Sequence, residues 1–225
     1  APLTPVFHNK VFGNDRKRKA IVNIGGITNI TALNYPELIG FDTGPGNCLI
    51  DCWSRIHNVG NYDDKGSWAA SGTINQSLLT EMMKDEYFSR KYPKSTGPDY
   101  FNHAWIKENL LRISEEIPIE DVQATLVQVT VISLIESLNS LNLSNENIYL
   151  CGGGVHNEFL YSEINKLSKS KVGTTLDLGI DPDYVEAICF GWLAKQRIEN
   201  KSFNLSEITG SKGKVSLGRI YEPSK

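Results

Sequence analysis

The chain has 225 residues, of which 40% are hydrophobic and 22% are charged, so it has the composition of a globular protein with one large domain or two modest ones. Its net charge of −3 and its isoelectric point near 5.9 provide no general attraction to nucleic acid or to anionic membranes, and neither partner is expected. No stretch reaches the roughly 20 apolar residues that cross a bilayer, and the first residues contain no apolar signal-peptide segment. We therefore expect a cytoplasmic protein.

The four cysteines lie in apolar contexts, form no CxxC pair and are accompanied by no HxxxH spacing. Structural zinc is therefore not expected, and no metal-ligating residue is assigned. Small buried apolar residues in a reducing compartment are the favoured interpretation.

The first elements are three short strands and a helix. "KAIVNIGGITNITAL" predicts two strands joined at Gly25-Gly26, and "ELIGFD" predicts a third strand that ends at Asp42. After the turn Gly44-Pro45-Gly46, "NCLIDCWSRIH" has apolar residues at three- and four-residue spacing, which predicts a helix. Asp42 would thus stand at a strand end near a helix N-terminus, an unfavourable place for a charge without a role.

Helices and single strands alternate along the rest of the chain. Ser71 predicts the N-cap of a helix in "SGTINQSLLTEMMKD", and "RKYPKSTGPDYFN" predicts a loop. "AWIKENLLRI" predicts a second helix, and the apolar segment opened by Pro118 predicts a long helix buried against a sheet. "NIYLCGGGVHNEFLYSEINKL" reads as strand, glycine turn and helix, "DYVEAICFGWLAKQRI" as a last helix, and the tail contains a candidate strand. This order predicts an α/β fold, a mixed sheet with helices on both faces.

Three glycine-rich turns each follow a short apolar strand: Gly25-Gly26, Gly44-Pro45-Gly46 and Gly152-Gly153-Gly154. Such turns bring backbone N–H groups close to an anion or a flat base, although each alone is more often plain turn chemistry. Neither G-x-G-x-x-G nor GxxxxGK[ST] is present, which disfavours Rossmann and P-loop sites.

Six motifs together resemble the anhydro-N-acetylmuramic acid kinases, members of the actin and sugar-kinase ATPase superfamily: "NIGGITNIT", "GFDTGPGNCLIDCW", "WAASG", "PKSTGPDYFN", "CGGGVHN" and "EAICFGWLA". The resemblance spans nearly the whole chain. It implies a ribonuclease H-like (actin-like ATPase) lobe that uses ATP and Mg²⁺. It also implies an activity: phosphorylation of 1,6-anhydro-N-acetylmuramic acid with hydrolysis of the anhydro bridge, giving N-acetylmuramate 6-phosphate in peptidoglycan recycling.

One family feature is missing from the sequence. The glycine-rich "GTSLDG"-like hairpin of the family's first lobe does not occur, since the chain opens at "APLTPVFHNKVFG". We therefore expect residues 1–199 to form the second lobe and residues 200–225 to pack as a tail on a missing first lobe. Since phosphoryl transfer needs positioning from both sides of a cleft, the 225 residues alone are expected to be inactive.

The resemblance assigns the general base to Asp42, and a carboxylate there can accept a proton from a water that attacks the anomeric carbon. The alternative is an Asx turn in which Asp42 bonds to the N–H groups near Gly44. Without the resemblance, this alternative would be slightly preferred.

The other roles implied by the resemblance concern the nucleotide and the sugar. Gly25 and Gly26 resemble the family's second phosphate hairpin. Gly152, Gly153 and Gly154 resemble its adenosine motif. Asn157 either adds a polar contact to the adenosine or caps the following helix. Glu186 matches an acidic residue of the sugar pocket, against the alternative of a first-turn helix glutamate. The substrate loop is expected to consist of Lys94, Ser95 and Thr96, with a mobile surface loop as the alternative.

The resemblance also implies partners: the anhydro-sugar, ATP, the missing N-terminal lobe and a second copy in a homodimer. A rival hypothesis is a non-catalytic nucleotide-binding or regulatory module of the same superfamily. Asp42 favours the enzyme, because nucleotide binding alone does not need a base.

Overall fold

The computed structural model describes residues 3–15, 17–34, 36 and 38–221, and of Glu207 only the backbone. Its strands are β1 (Lys19–Ile24), β2 (Ile27–Leu33), β3 (Ile39–Pro45), β4 (Asn147–Cys151), β5 (Val172–Thr174), β6 (Ser202–Asn204) and β7 (Lys214–Ser216). The first five form one sheet in the order β3-β2-β1-β4-β5, and β6 and β7 form a separate antiparallel pair. Because β1 runs antiparallel to β2 and parallel to β4, the predicted mixed sheet is confirmed.

The helices of the described residues are α1 (Thr4–Phe12), α2 (Asn47–Ile56), α3 (Ser67–Ser71), α4 (Gln76–Met82), α5 (Glu86–Ser89), α6 (His103–Leu110), α7 (Ile119–Ser140), α8 (Glu158–Leu167), α9 (Val185–Ile198) and α10 (Ser206–Thr209). The helices predicted from apolar periodicity are present. The predicted N-cap at Ser71 is wrong, because Ser71 is the last residue of α3. Asn75 caps α4 instead, and its side chain accepts a hydrogen bond from Leu78 N at 2.9 Å.

The long helix α7 covers one face of the sheet, as predicted. It packs in a large apolar cluster with β1, β2 and α2, and Trp53 Nε1 of α2 donates a hydrogen bond to the Ile119 carbonyl at 2.8 Å. With 22 residues and an apolar composition, α7 is long enough to cross a bilayer. Most of it is buried inside the fold, however, so it is the core helix of a globular unit.

The opposite face of the sheet carries α1, α9 and the tail. Phe7 of α1, Val185 of α9 and Ile21 of β1 belong to one buried apolar cluster, so helices on both faces are confirmed. The tail contributes Leu205 and Leu217 to the same cluster and therefore packs on this lobe. Whether residues 200–225 also contact a first lobe stays a prediction, and residues 222–225 lie outside the described ones.

The cysteines are free thiols inside apolar surroundings. Cys151 and Cys189 are buried, and Cys48 and Cys52 are half-buried. Burial raises the pKa of Cys48 to about 12, so this thiol is inert at neutral pH.

Asp63 links α3 to α7 and should contribute strongly to stability. Its carboxylate accepts hydrogen bonds from Trp68 N and Ala69 N, both at 2.9 Å, and from Gln123 Nε2 at 3.3 Å. We expect Asp63→Ala to lower the free energy of unfolding by about 1–3 kcal/mol, because it leaves these donors without an acceptor. Urea denaturation measures the change. Asp64→Ala, the same substitution at the exposed neighbour, is the control, and equal losses in both variants would contradict this role for Asp63.

Candidate active site

Asp42 lies inside β3 and not at its end, so the predicted strand boundary was too early. The strand continues to Pro45, and Asp42 pairs with Asn29 of β2 beside a register shift at Thr28/Asn29. Irregularities of this kind re-aim side chains and are common next to active sites. At ~3.3 Å per residue, Asp42 stands about 10 Å along the strand from Pro45.

The Asp42 carboxylate is buried and is held by the loop that contains the "KSTG" segment. Its Oδ2 accepts hydrogen bonds from Ser95 Oγ at 2.9 Å and from Thr96 N at 3.0 Å. Its Oδ1 accepts no hydrogen bond from the described residues. Since the carboxylate partners are more than 50 residues away and not in the following turn, the Asx-turn alternative is wrong. Thr96 Oγ1 is buried here without a hydrogen-bond partner among the described residues, so this corner has polar capacity for a ligand.

Backbone contacts fix the same loop to β3. Asp42 N donates to the Lys94 carbonyl at 3.2 Å, and the buried Tyr87 hydroxyl donates to the Asp42 carbonyl at 2.7 Å. Lys94 Nζ donates to the carbonyls of Tyr87 and Phe88 and lies 4.7 Å from the Tyr87 ring centroid. The ammonium of Lys94 thus has structural partners already, and burial lowers its pKa. Sequence reasoning missed Tyr87, because a tyrosine 45 residues away gave no local signal.

The Gly25-Gly26 hairpin touches the start of α2. The Gly26 carbonyl accepts hydrogen bonds from Gly46 N at 2.9 Å and Cys48 N at 3.0 Å, and the Gly25 carbonyl accepts one from Asn47 N at 2.8 Å. The exposed Gly26 N–H has no acceptor among the described residues. It is therefore available to a phosphate oxygen.

The three glycines after β4 have different environments. Gly152 has φ +82°, and a Cβ there would meet the Asn23 side chain. A Cβ on Gly154 would meet the Ile24 side chain, whereas a Cβ on Gly153 would have no heavy atom within 4 Å. Two glycines are thus required by packing on the end of β1, and the middle one faces open space.

Gly153 and Asn157 line a cavity of about 730 Å³ between α2, residues 61–65 and the segment before α8. This volume suits a small-molecule ligand. Asn157 Oδ1 caps α8 by accepting a hydrogen bond from Leu160 N at 2.9 Å, so the helix-cap interpretation is confirmed and a ligand contact stays a prediction. Asp51 and Tyr62 also line this cavity, and sequence reasoning missed both. Asp51 follows Asn47 by four residues and therefore lies on the same face of α2, so this spacing could have identified Asp51 from the sequence.

Glu186 lies in the first turn of α9 with an exposed side chain. Burial, with a smaller contribution from the Glu186 carboxylate, raises the pKa of Cys151 to about 12. The carboxylate is therefore near the end of β4. No described contact joins Glu186 to Asp42, and its role at a sugar stays a prediction.

Comparison with known proteins identifies the family. The family model described as "Anhydro-N-acetylmuramic acid kinase" matches residues 1–223. The chain belongs to this family. It is 44% identical over 225 residues to the anhydro-N-acetylmuramic acid kinase of Coxiella burnetii, covering 98% of this chain and 60% of that one. The Haemophilus influenzae relative is 43% identical over 234 residues, with 98% and 61% covered, so the chain spans about three fifths of the length of these kinases.

Solved structures support the fold. An activator of the 2-hydroxyisocaproyl-CoA dehydratase from Clostridium difficile, with bound ADPNP, superposes with a TM-score of 0.53 over 90% of this chain and 70% of that chain, at 14% identity. At this identity the likeness concerns the fold alone, and it agrees with the actin-like ATPase lobe that the family resemblance implied.

The different environments of Gly152 and Gly153 predict different effects of substitution on stability. We expect Gly152→Val to lower the free energy of unfolding by about 1–3 kcal/mol, because valine strongly disfavours a positive φ and would contact Asn23. Gly153→Val should leave it nearly unchanged, since its surroundings are open. Thermal unfolding of both variants measures the difference, and an equal loss in both would contradict the assignment of Gly153 to open space.

Proposed function

We propose that this chain is the second lobe of an ATP-dependent kinase that phosphorylates 1,6-anhydro-N-acetylmuramic acid and opens its anhydro bridge with water, giving N-acetylmuramate 6-phosphate. The observation that carries the proposal is the Asp42 carboxylate, buried and held at one oxygen by Ser95 and Thr96 in a member of this family. Because the chain covers 60% of the Coxiella burnetii relative, the activity of the whole protein is inferred from the family and from this site.

Asp42 has the geometry of a general base. The two donors on Oδ2 fix the carboxylate plane and leave Oδ1 free to accept a proton. Oδ1 takes the proton from a water, the water oxygen bonds to the anomeric carbon, and the bond from that carbon to the anhydro oxygen breaks. The released oxygen at C6 is then the acceptor of the phosphoryl group. Ser95 and Thr96 act in this scheme by orienting the base, and the unpartnered Thr96 hydroxyl is available to substrate or water.

The proposal assigns ATP to the two glycine turns. The exposed Gly26 N–H suits a phosphate oxygen, and the open face of Gly153 in the 730 Å³ cavity suits the adenosine. ATP supplies the phosphoryl group, and Mg²⁺ neutralises charge on its phosphates. The described residues contain no group of three or more His, Cys, Asp or Glu side chains that could hold a metal. Proteins usually hold Mg²⁺ through one or two carboxylates together with substrate phosphates and water.

The proposal also includes a first lobe outside these 225 residues, a homodimer and a cytoplasmic location. In support of a further protein surface, large apolar side chains are exposed near Glu186: Tyr184 just before α9, and Ile188 and Phe190 within it. No observation favours the non-catalytic module.

The first test concerns the base. Asp42→Asn in protein expressed from the complete reading frame should lower kcat by about 10²–10⁴-fold, because the amide oxygen can still accept the Ser95 and Thr96 hydrogen bonds while the proton acceptor is lost. ADP release in the presence of the anhydro-sugar measures the rate. Glu108→Gln, at an exposed carboxylate of α6, is the control, and an Asp42→Asn enzyme of nearly normal rate would eliminate Asp42 as the base.

The second test concerns the adenosine site. In the same full protein, Gly153→Val should weaken ATP binding much more than anhydro-sugar binding, because the valine side chain would occupy the open space assigned to the ligand. Titration calorimetry with each ligand measures the two affinities. Equal losses for both ligands together with a large fall in melting temperature would defeat the assignment.

A further inference from the structure

The cavity beside Gly153 has an apolar part and one carboxylate that accepts no hydrogen bond from the described residues. Ile50, Tyr62 and Val155 provide apolar and aromatic surface, which suits a nucleobase. Asp51 lines the same cavity from α2 and is half-buried.

The other charged groups of the cavity already have partners or are exposed. Asp63 accepts the α3 N–H groups, Glu158 pairs with Lys65 at 3.5 Å, and His156 contacts Asp183 at 2.8 Å. Asp64 is exposed to solvent. Asp51 accepts no hydrogen bond and forms no ion pair within the described part of the chain. A half-buried carboxylate without donors is costly, and a ligand with hydroxyl groups would remove that cost.

The position of Asp51 along α2 indicates which part of a nucleotide it would contact. Asn47 N, at the start of α2, bonds to the Gly25 carbonyl beside the proposed phosphate turn. Asp51 follows four residues later on the same helix face, about 6 Å further along the axis. The sugar of a nucleotide lies between its phosphates and its base, and Asp51 lines the same cavity as the apolar residues, about one helical turn from Asn47.

We propose that Asp51 binds the ribose of the nucleotide by accepting hydrogen bonds from the 2′- and 3′-hydroxyl groups. This rests on the proposed function, because it takes the cavity as the nucleotide site. It makes Asp51 a specificity-determining residue that distinguishes ribonucleotides from deoxynucleotides.

The charged Asp51 carboxylate is also expected to lower the free energy of unfolding, whereas a residue that serves the fold would raise it. Burial raises the pKa of Asp51 to about 6, with Arg55 lowering it and Asp63 raising it. Because the folded protein holds the Asp51 proton more tightly than the unfolded chain does, stability falls as pH rises toward 6 and stays lower above it. At pH 8, replacing the charge with an amide should therefore stabilise the fold.

The experiment measures affinities for ATP, 2′-deoxy-ATP and 3′-deoxy-ATP by titration calorimetry at pH 8, with protein from the complete reading frame. The wild type should bind at least one deoxy analogue about tenfold more weakly than ATP, because a hydrogen bond to a charged acceptor is lost. Asp51→Ala should bind all three nucleotides with nearly equal, reduced affinity. Asp51→Asn should melt at a higher temperature than the wild type and also bind ATP more weakly.

The control is Asp64→Asn, which removes the same charge from the same cavity at an exposed position and should keep the preference for ATP over the deoxy analogues. Equal affinity of the wild type for all three nucleotides would overturn the Asp51 assignment while leaving the proposed function intact. So would a preference for ATP that survives in Asp51→Ala. Absence of ATP binding to the wild type would overturn the nucleotide site itself, and the assignment with it.

Discussion

The hydrogen bonds between the Gly25-Gly26 hairpin and the start of α2 are the constraint on which the rest of the site depends. Three successive N–H groups, of Gly46, Asn47 and Cys48, donate to the two glycine carbonyls. A Cβ on Gly46 would meet the Gly25 carbonyl oxygen, so this approach requires a glycine. The contact turns the chain directly from β3 into α2. The strand that carries the proposed base and the helix that lines the proposed nucleotide cavity are therefore held in one rigid corner.

Local chemistry made much of this architecture predictable. β-Branched residues on both sides of Gly25-Gly26 indicated β1 and β2, and apolar spacing indicated α2, α7 and α9. Three glycine turns expected at strand ends indicated the ligand side of the sheet. The helix starting near residue 76 was predicted, but its cap was not. Both Ser71 and Asn75 are good capping residues, and the choice between them follows from contacts of Asn75 N with Thr125 of α7, which are not local.

The surroundings of Asp42 could not be predicted from the sequence either, because the contacts that define them are also distant along the chain. The turn after Asp42 suggested an Asx interaction, whereas the carboxylate is held by a loop 53 and 54 residues further along the chain. The family resemblance identified Asp42 and the "KSTG" loop separately, and only the fold shows that they form one unit. Likewise, α1 was missed because Thr4–Phe12 has no clear apolar stripe by itself and becomes a helix against α9 and β2.

The glycine motif after β4 shows why a motif alone does not separate structure from function. Gly152 and Gly154 are needed to pack on the end of β1, so any protein with this corner would retain them without a ligand. Gly153 is different, because nothing in the fold prevents a side chain there. Asp51 lines the same cavity from α2 and is half-buried, with no hydrogen-bond donor to its carboxylate among the described residues. Within the part of the chain that the structure describes, neither Gly153 nor Asp51 has a structural reason for its residue type, and the proposed ligand, which fills the space at Gly153 and donates hydrogen bonds to Asp51, accounts for both.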